Sequence, residues 1–191
     1  MIQKKEVPVI EPRDVFMGDE EAPVSLVEFA DYETEAAVKA HEIVKDIMQQ
    51  YDGKVRFNFR HFPLLSIHQK AHKAAEAAIG AAQEGKFWEM HERLLNNRHS
   101  LGTISLKSHA KEVGVTDKKF LDNLLSSKYG WYVQDDLKEG IRLGVKDIPV
   151  FFLNGERIKG PITFENLKTH IEAAIKTSKK KKTKKASFEE N

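Results

Sequence analysis

The chain has 191 residues, 40% of them hydrophobic, which is enough for one domain with a sizeable core or one domain carrying an inserted subdomain. It contains no cysteine, and this excludes disulfides, thiolate metal sites and cysteine nucleophiles together. The net charge of +2 is uneven, because Lys176–Asn191 holds seven lysines against two acids and leaves the remainder slightly acidic.

No apolar run reaches the length of a membrane span, so no transmembrane segment is expected. The opening MIQKKEVPVIEPRD lacks the apolar core of a secretion signal. Read as complete, the chain is expected in the cytoplasm. Read as a mature form or an excised domain, it leaves the compartment open.

The polar segment before residue 22 carries the short apolar VPVI, read as a first strand or an extended arm. Ala22-Pro23 punctuates the chain, and VSLVEFA (24–30) then reads as a mostly buried strand. A helix pattern follows to about Tyr51, with Val38, Ile43, Val44, Ile47 and Met48 at helical spacing. Thr34 suits the N-cap, where its hydroxyl would accept from a free first-turn amide. Glu35 places negative charge at the positive end of the helix dipole.

KVRFNFRHF (54–62) alternates as a strand and ends at Pro63. Residues 67–143 hold almost only helix patterns: IHQKAHKAAEAAIGAAQ, KFWEMHERLLNN, SLKSHAKEVG, DKKFLDNLLSS and YVQDDLKEGIRLG. VFFL, the turn Asn154-Gly155 and ERIKG then read as a tight hairpin. Phe164–Ile175 forms a last helix through Leu167, Ile171 and Ile175. The lysine-rich tail 176–191 has no apolar period and is expected to be disordered.

The order strand, helix, strand, helical block, hairpin, helix predicts a mixed central sheet of the thioredoxin type, in the α/β class. Residues 1–66 and 144–175 would form it, with 67–143 as an inserted all-helical subdomain. The first β-α-β unit is expected to be parallel and right-handed.

APVSLVEFADYE, RHFPL, KFWEMHERLL and GVKDIPVFFLNGERIKG resemble the DsbA-type thioredoxin-fold proteins over roughly residues 14–175. The resemblance implies thiol-disulfide oxidoreductase ancestry. It places a Cys-x-x-Cys on Thr34-Glu35-Ala36-Ala37, where both sulfurs are missing. It also implies a cis proline at Pro149, preceded by Ile148, and a buried acid at Glu28. Asp147 departs from the glycine often found there.

Thiol-disulfide exchange needs a thiolate and a second sulfur. Neither threonine nor alanine supplies one, so no catalytic residue is assigned and no cofactor is implied. What the resemblance leaves is a groove formed by Tyr32, Thr34, Glu35, Ala36, Ala37, Ile148 and Pro149. It would hold an extended peptide or protein segment by strand addition. Two alternatives stand beside this reading. One is a glutathione-binding or transferase-like enzyme using Thr34. The other is a regulatory domain of a larger protein.

Each sharper reading has a plainer rival. Thr34 can simply cap a helix, and Glu35 can simply suit its dipole. Glu28 can pair with a lysine or remain partly solvated. His68 and His72 stand at i, i+4 spacing, which can bind a metal, and His61, His91 and His109 fall in compatible patterns. Without an acid or cysteine at matching spacing, hydrogen-bonded or solvated histidines are favoured, and no metal is expected. The lysine tail can bind an anionic polymer by counterion release. No specific nucleic-acid partner is expected, since no aromatic interleaving accompanies the charge.

Overall fold

The computed structural model describes residues 9–189, with side chains to Ser178 in the closing helix. Five strands form one mixed sheet in the order β1-β3-β2-β4-β5. They are β1 (Phe16–Met17), β2 (Val24–Ala30), β3 (Val55–His61), β4 (Val150–Leu153) and β5 (Glu156–Arg157). β2 and β3 run parallel, from Val24 opposite Val55 to Ala30 opposite His61. β4 lies antiparallel to β2 on its other side, with Phe29 opposite Val150.

The helix α1 (Glu35–Gln50) connects β2 to β3. It buries Ala37, Ala40, His41, Val44 and Ile47, a single stripe at three- and four-residue spacing. Between β3 and β4 come α2 (Ala71–Ala82), α3 (Phe87–Asn96), α4 (Thr103–Glu112), α5 (Phe120–Leu125) and α6 (Gly130–Arg142), with no strand among them. The closing helix α7 spans Phe164–Glu189.

Strand alternation divides the core into two. Val24, Leu26 and Ala30 join Val55, Phe57, Phe59, Phe151 and Leu153 on the face covered by α1, α3 and α7, through Val44, Ile47, Met90, Leu167 and Ile171. The opposite face gathers Phe29, Phe62, Val145, Val150 and Phe152. There α6 comes close through Gly140, where an added Cβ would stand 2.5 Å from the Phe62 ring. At the hairpin, Asn154 and Gly155 both take positive φ (50° and 86°), as a two-residue I′ turn requires.

Four boundaries differ from the sequence reading. Of the proposed VPVI arm, Val7 and Pro8 lie outside the described residues, and Ile10 is held by Gln83 through its amide and carbonyl. β5 covers only Glu156–Arg157 of ERIKG. α2 begins at Ala71 instead of Ile67. Tertiary hydrogen bonds hold residues 64–70 as turns: the Leu64 amide donates to Asp31 and the Lys70 amide to Glu33. Finally, the tail expected to be disordered continues α7 to Glu189. Lysine and alanine are favourable helix formers, and no glycine or proline interrupts 176–189.

Candidate functional site

The corner from β2 into α1 is organised by Asp31, which is almost fully buried. Its Oδ1 accepts from the Glu33 amide (3.1 Å), the Thr34 amide (2.9 Å) and the Thr34 hydroxyl (2.7 Å). Its Oδ2 accepts from the Leu64 amide (3.2 Å) and pairs with His68 Nδ1 at 2.6 Å. One carboxylate thus ties the β2–α1 loop to the β3–α2 loop. A buried carboxylate needs such a set of donors.

Thr34 occupies the N-cap position with extended backbone angles, yet makes no side-chain cap hydrogen bond to α1. The capping expectation is therefore corrected: Asp31, three residues earlier, captures the hydroxyl proton. Glu35 is exposed and its pKa is lowered, first by a hydrogen bond from Lys39, then by the charges of Lys39 and Arg98. Ala36 is exposed and Ala37 is buried beneath the first turn.

Tyr32 does not line a groove. Its ring is wholly buried against Phe59, His61 and His91, and its hydroxyl meets His91 Nδ1 at 3.1 Å. This corrects its assignment. A tyrosine between two acids reads as a surface turn, but the core aromatics of β3 and α3 draw it inward.

On the other side of the corner, the Ile148-Pro149 bond is cis. Ile148 is half-buried against the cluster of Phe29, Phe62 and Val150, which Leu64 also joins. Its amide and carbonyl have no hydrogen-bond partner among the described residues. Pro149 also borders a cavity of about 310 Å³ with Arg157, Lys159, Gly160 and Asn166. Neither Thr34 nor Ala36 lines that cavity.

Glu28 is buried on β2, opposite Phe59 and Phe151, and its Oε1 has no partner. Among the described residues no lysine pairs with it, and burial raises its pKa to about 8. Burial thus favours its protonated, neutral form. Three histidines keep the hydrogen-bonded reading, and two depart from it. His68 lies before α2 and turns to Asp31, while His72 turns to Glu76 at 3.2 Å, so the pair does not converge on a metal. His61 and His91 are buried in the core instead of solvated. His109 is held by Ser100 and Arg93. No group of three or more His, Cys, Asp or Glu among the described residues is placed to hold a metal.

A family model described as Thioredoxin matches residues 11–173. The chain belongs to the thioredoxin family. Solved structures with DsbA-like architecture surround this thioredoxin-family chain. Oxidised BdbD from Bacillus subtilis is 22% identical with a TM-score of 0.78, covering 87% of this chain and 93% of that one. A thioredoxin-like oxidoreductase from Silicibacter pomeroyi DSS-3 is 23% identical with a TM-score of 0.75, covering 85% and 92%. These likenesses carry the fold. By sequence, the chain is 34% identical over 173 residues to Na(+)/H(+) antiporter NhaA 3 of Salinispora tropica, covering 91% of this chain and 26% of that protein. It spans about a quarter of the length of the curated relatives it matches.

The thioredoxin frame therefore survives around a corner with no sulfur. Thr34 is not arranged as a nucleophile, because its hydroxyl donates to Asp31 at 2.7 Å while His68 Nδ1 pairs with that same carboxylate at 2.6 Å and stands 3.5 Å from the hydroxyl. In a Ser-His-Asp arrangement the imidazole stands between hydroxyl and carboxylate. Here both donors share the same acid. Asp31 was missed in the sequence, and His68 was weighed there only as a metal ligand. The local signal was an aspartate three residues before a threonine at a helix start, the spacing of an Asx-type loop bond. His68 carried no local signal.

Proposed function

We propose that this chain is a redox-inert thioredoxin-family domain that binds an extended protein segment at the loop Asp147–Pro149, beside the corner Thr34–Ala37. The observation that carries this reading is the unpaired backbone of Ile148, just before β4. An extended chain can satisfy such an amide and carbonyl by adding a short strand. Leu65 (47% exposed) and Ile67 (66%) on the neighbouring loop offer apolar contact for its side chains. Disulfide chemistry is excluded because no sulfur of cysteine exists in the chain.

The transferase-like alternative loses support. A hydroxyl that holds a glutathione thiolate must donate to it, and the Thr34 hydroxyl donates to Asp31. The reading as a regulatory part of a longer protein gains support from the relatives, which are about four times the length that this chain matches. It is compatible with segment binding, since the segment can belong to the same long protein.

The test is a library of unstructured twelve-residue peptides followed by amide NMR. Binders should shift Ile148 and Thr34–Ala37. Shifts confined to another surface, or no binder at millimolar peptide, would refute the assignment. Glutathione should leave the melting temperature unchanged; a rise would revive the transferase reading.

A further inference from the structure

Behind the corner, two helices and one strand contribute imidazoles to one buried cluster that the binding reading does not use. His41 comes from α1, His61 from β3 and His91 from α3, and all three are at most 5% exposed. His41 and His91 meet edge to face with ring centroids 5.0 Å apart. Tyr32 and Phe59 fill the space between His61 and His91, with centroid distances from 4.4 to 5.7 Å. Both nitrogens of His41, both of His61 and Nε2 of His91 are buried without a hydrogen-bond partner. The one bond in the cluster joins His91 Nδ1 to the Tyr32 hydroxyl.

We propose that His41, His61 and His91 form an acid-sensitive latch that holds α1 and α3 together behind the corner and releases that seam when the pH falls. As neutral rings, the three pack as aromatics. As cations, they would be buried charges lacking acceptors, beside one another. Acid can therefore protonate them only by opening the seam. His41 is the trigger, because it sits on α1 directly against α3, and parting the two helices exposes both His41 and His91.

The surrounding charges agree with this. Burial lowers the pKa of His41 first, Lys45 lowers it further, and Glu92 and Glu42 oppose. His91 is lowered well below its usual value by burial, then by His41 and His61. His61 is lowered to about 3 by burial, then by Arg60 and His72. Burial favours the neutral form of Glu28, the buried acid on this face, so it is a poor counter-charge. Asp136 is bound to Arg60 and the His61 amide. At the rim of the seam, Lys45 bonds Glu42 at 2.8 Å and reaches Glu92 at 3.9 Å. Tyr32 belongs to the corner, so release of α3 also loosens the loop that carries Asp31 and Thr34.

The test is amide hydrogen exchange on the full chain from about pH 7.5 to about pH 4.5, expressed as protection relative to intrinsic exchange. Protection in Ala37–Val44 and in α3 should fall on acidification while α6 keeps its own. The fall can reach about tenfold per pH unit for each histidine protonated on opening. His41→Phe should remove at least half of the response on a logarithmic scale, and the exposed His99→Gln should leave it intact. If His41→Phe does not fold, His41→Gln and ring NMR on the wild type replace it; His41 and His91 should then titrate together with the opening. An equal acid response in the His41 variant would overturn the latch. So would simultaneous loss of protection in α1, α3 and α6, or no loss at all down to about pH 4.5.

Discussion

Glu28→Gln isolates the energetic role of the buried acid. Burial holds Glu28 at a pKa of about 8, against an ordinary 4.5. The folded state thus binds the proton more tightly than the unfolded chain. The protonated acid's stabilising contribution is complete below about pH 4.5, is lost as pH rises toward 8, and changes no further above that. At about 1.4 kcal/mol per pH unit, the full span amounts to about 5 kcal/mol. Glutamine keeps the shape and does not titrate, so any cost of its amide is constant with pH. Relative to that constant, wild type should be penalised by about 1 kcal/mol at pH 5 and about 4 kcal/mol at pH 7.5. Urea denaturation of both proteins across this range measures the difference, and all other titrating groups cancel. The variant should gain about 3 kcal/mol on wild type between the two pH values. Parallel stability curves would refute the reasoning, because they would mean that Glu28 finds solvent or a cation in the folded protein.

The remaining predictions follow from neighbouring contacts. His61 has the opposite sign: its folded pKa of about 3 lies below the ordinary 6.5, so it destabilises as pH falls between these values. His61→Phe should flatten the acid limb of the stability profile by about 3 kcal/mol, read by denaturation from pH 7 down to 4. Asp31→Ala removes the acceptor of five donors at the corner and should cost about 3 kcal/mol by denaturant melt, whereas Thr34→Ala should cost about 1 kcal/mol. Gly140→Ala improves helix propensity by about 1 kcal/mol but drives a methyl into the Phe62 and Phe29 rings, for a net loss of about 1–2 kcal/mol in the same assay.

The sheet was legible because β2 is a short apolar run, β3 alternates with a period near two, and Asn154-Gly155 has the turn chemistry that its φ values demand. The position of the corner was legible as well, since Thr34 and Glu35 suit a helix start. The bonding inside the corner was not. Sequence propensity sees Thr34 and the amides after it, but Asp31 offers a nearer acceptor, and its choice depends on Leu64 and His68 from a distant loop. Tyr32 was misplaced for the same reason, as its burial is decided by His61 and His91, which adjoin it only once β3 and α3 have packed. The tail shows the converse. Local helix preference in 176–189 outlasts the end of the apolar stripe at Ile175, so the absence of a stripe did not end the helix.

A corner that loses a thiolate loses the anion its helix terminus was suited to hold. In this chain the vacancy is answered from within, since Asp31 gathers the amides of Glu33 and Thr34, the hydroxyl of Thr34 and the imidazole of His68. That commits the Glu33 and Thr34 amides and the Thr34 hydroxyl to one buried carboxylate. Among the described residues, other groups without hydrogen-bond partners are the Ile148 backbone and, in the core, Glu28 with imidazole nitrogens of His41, His61 and His91. Buried polar atoms without partners cost stability at every pH. Replacing them with apolar residues of similar shape should remove that cost, as Phe in place of His61 is expected to do. Their retention behind an inert corner is therefore a reason to look for function in how α1 and α3 hold together, as well as in what the loop at Ile148 can grasp.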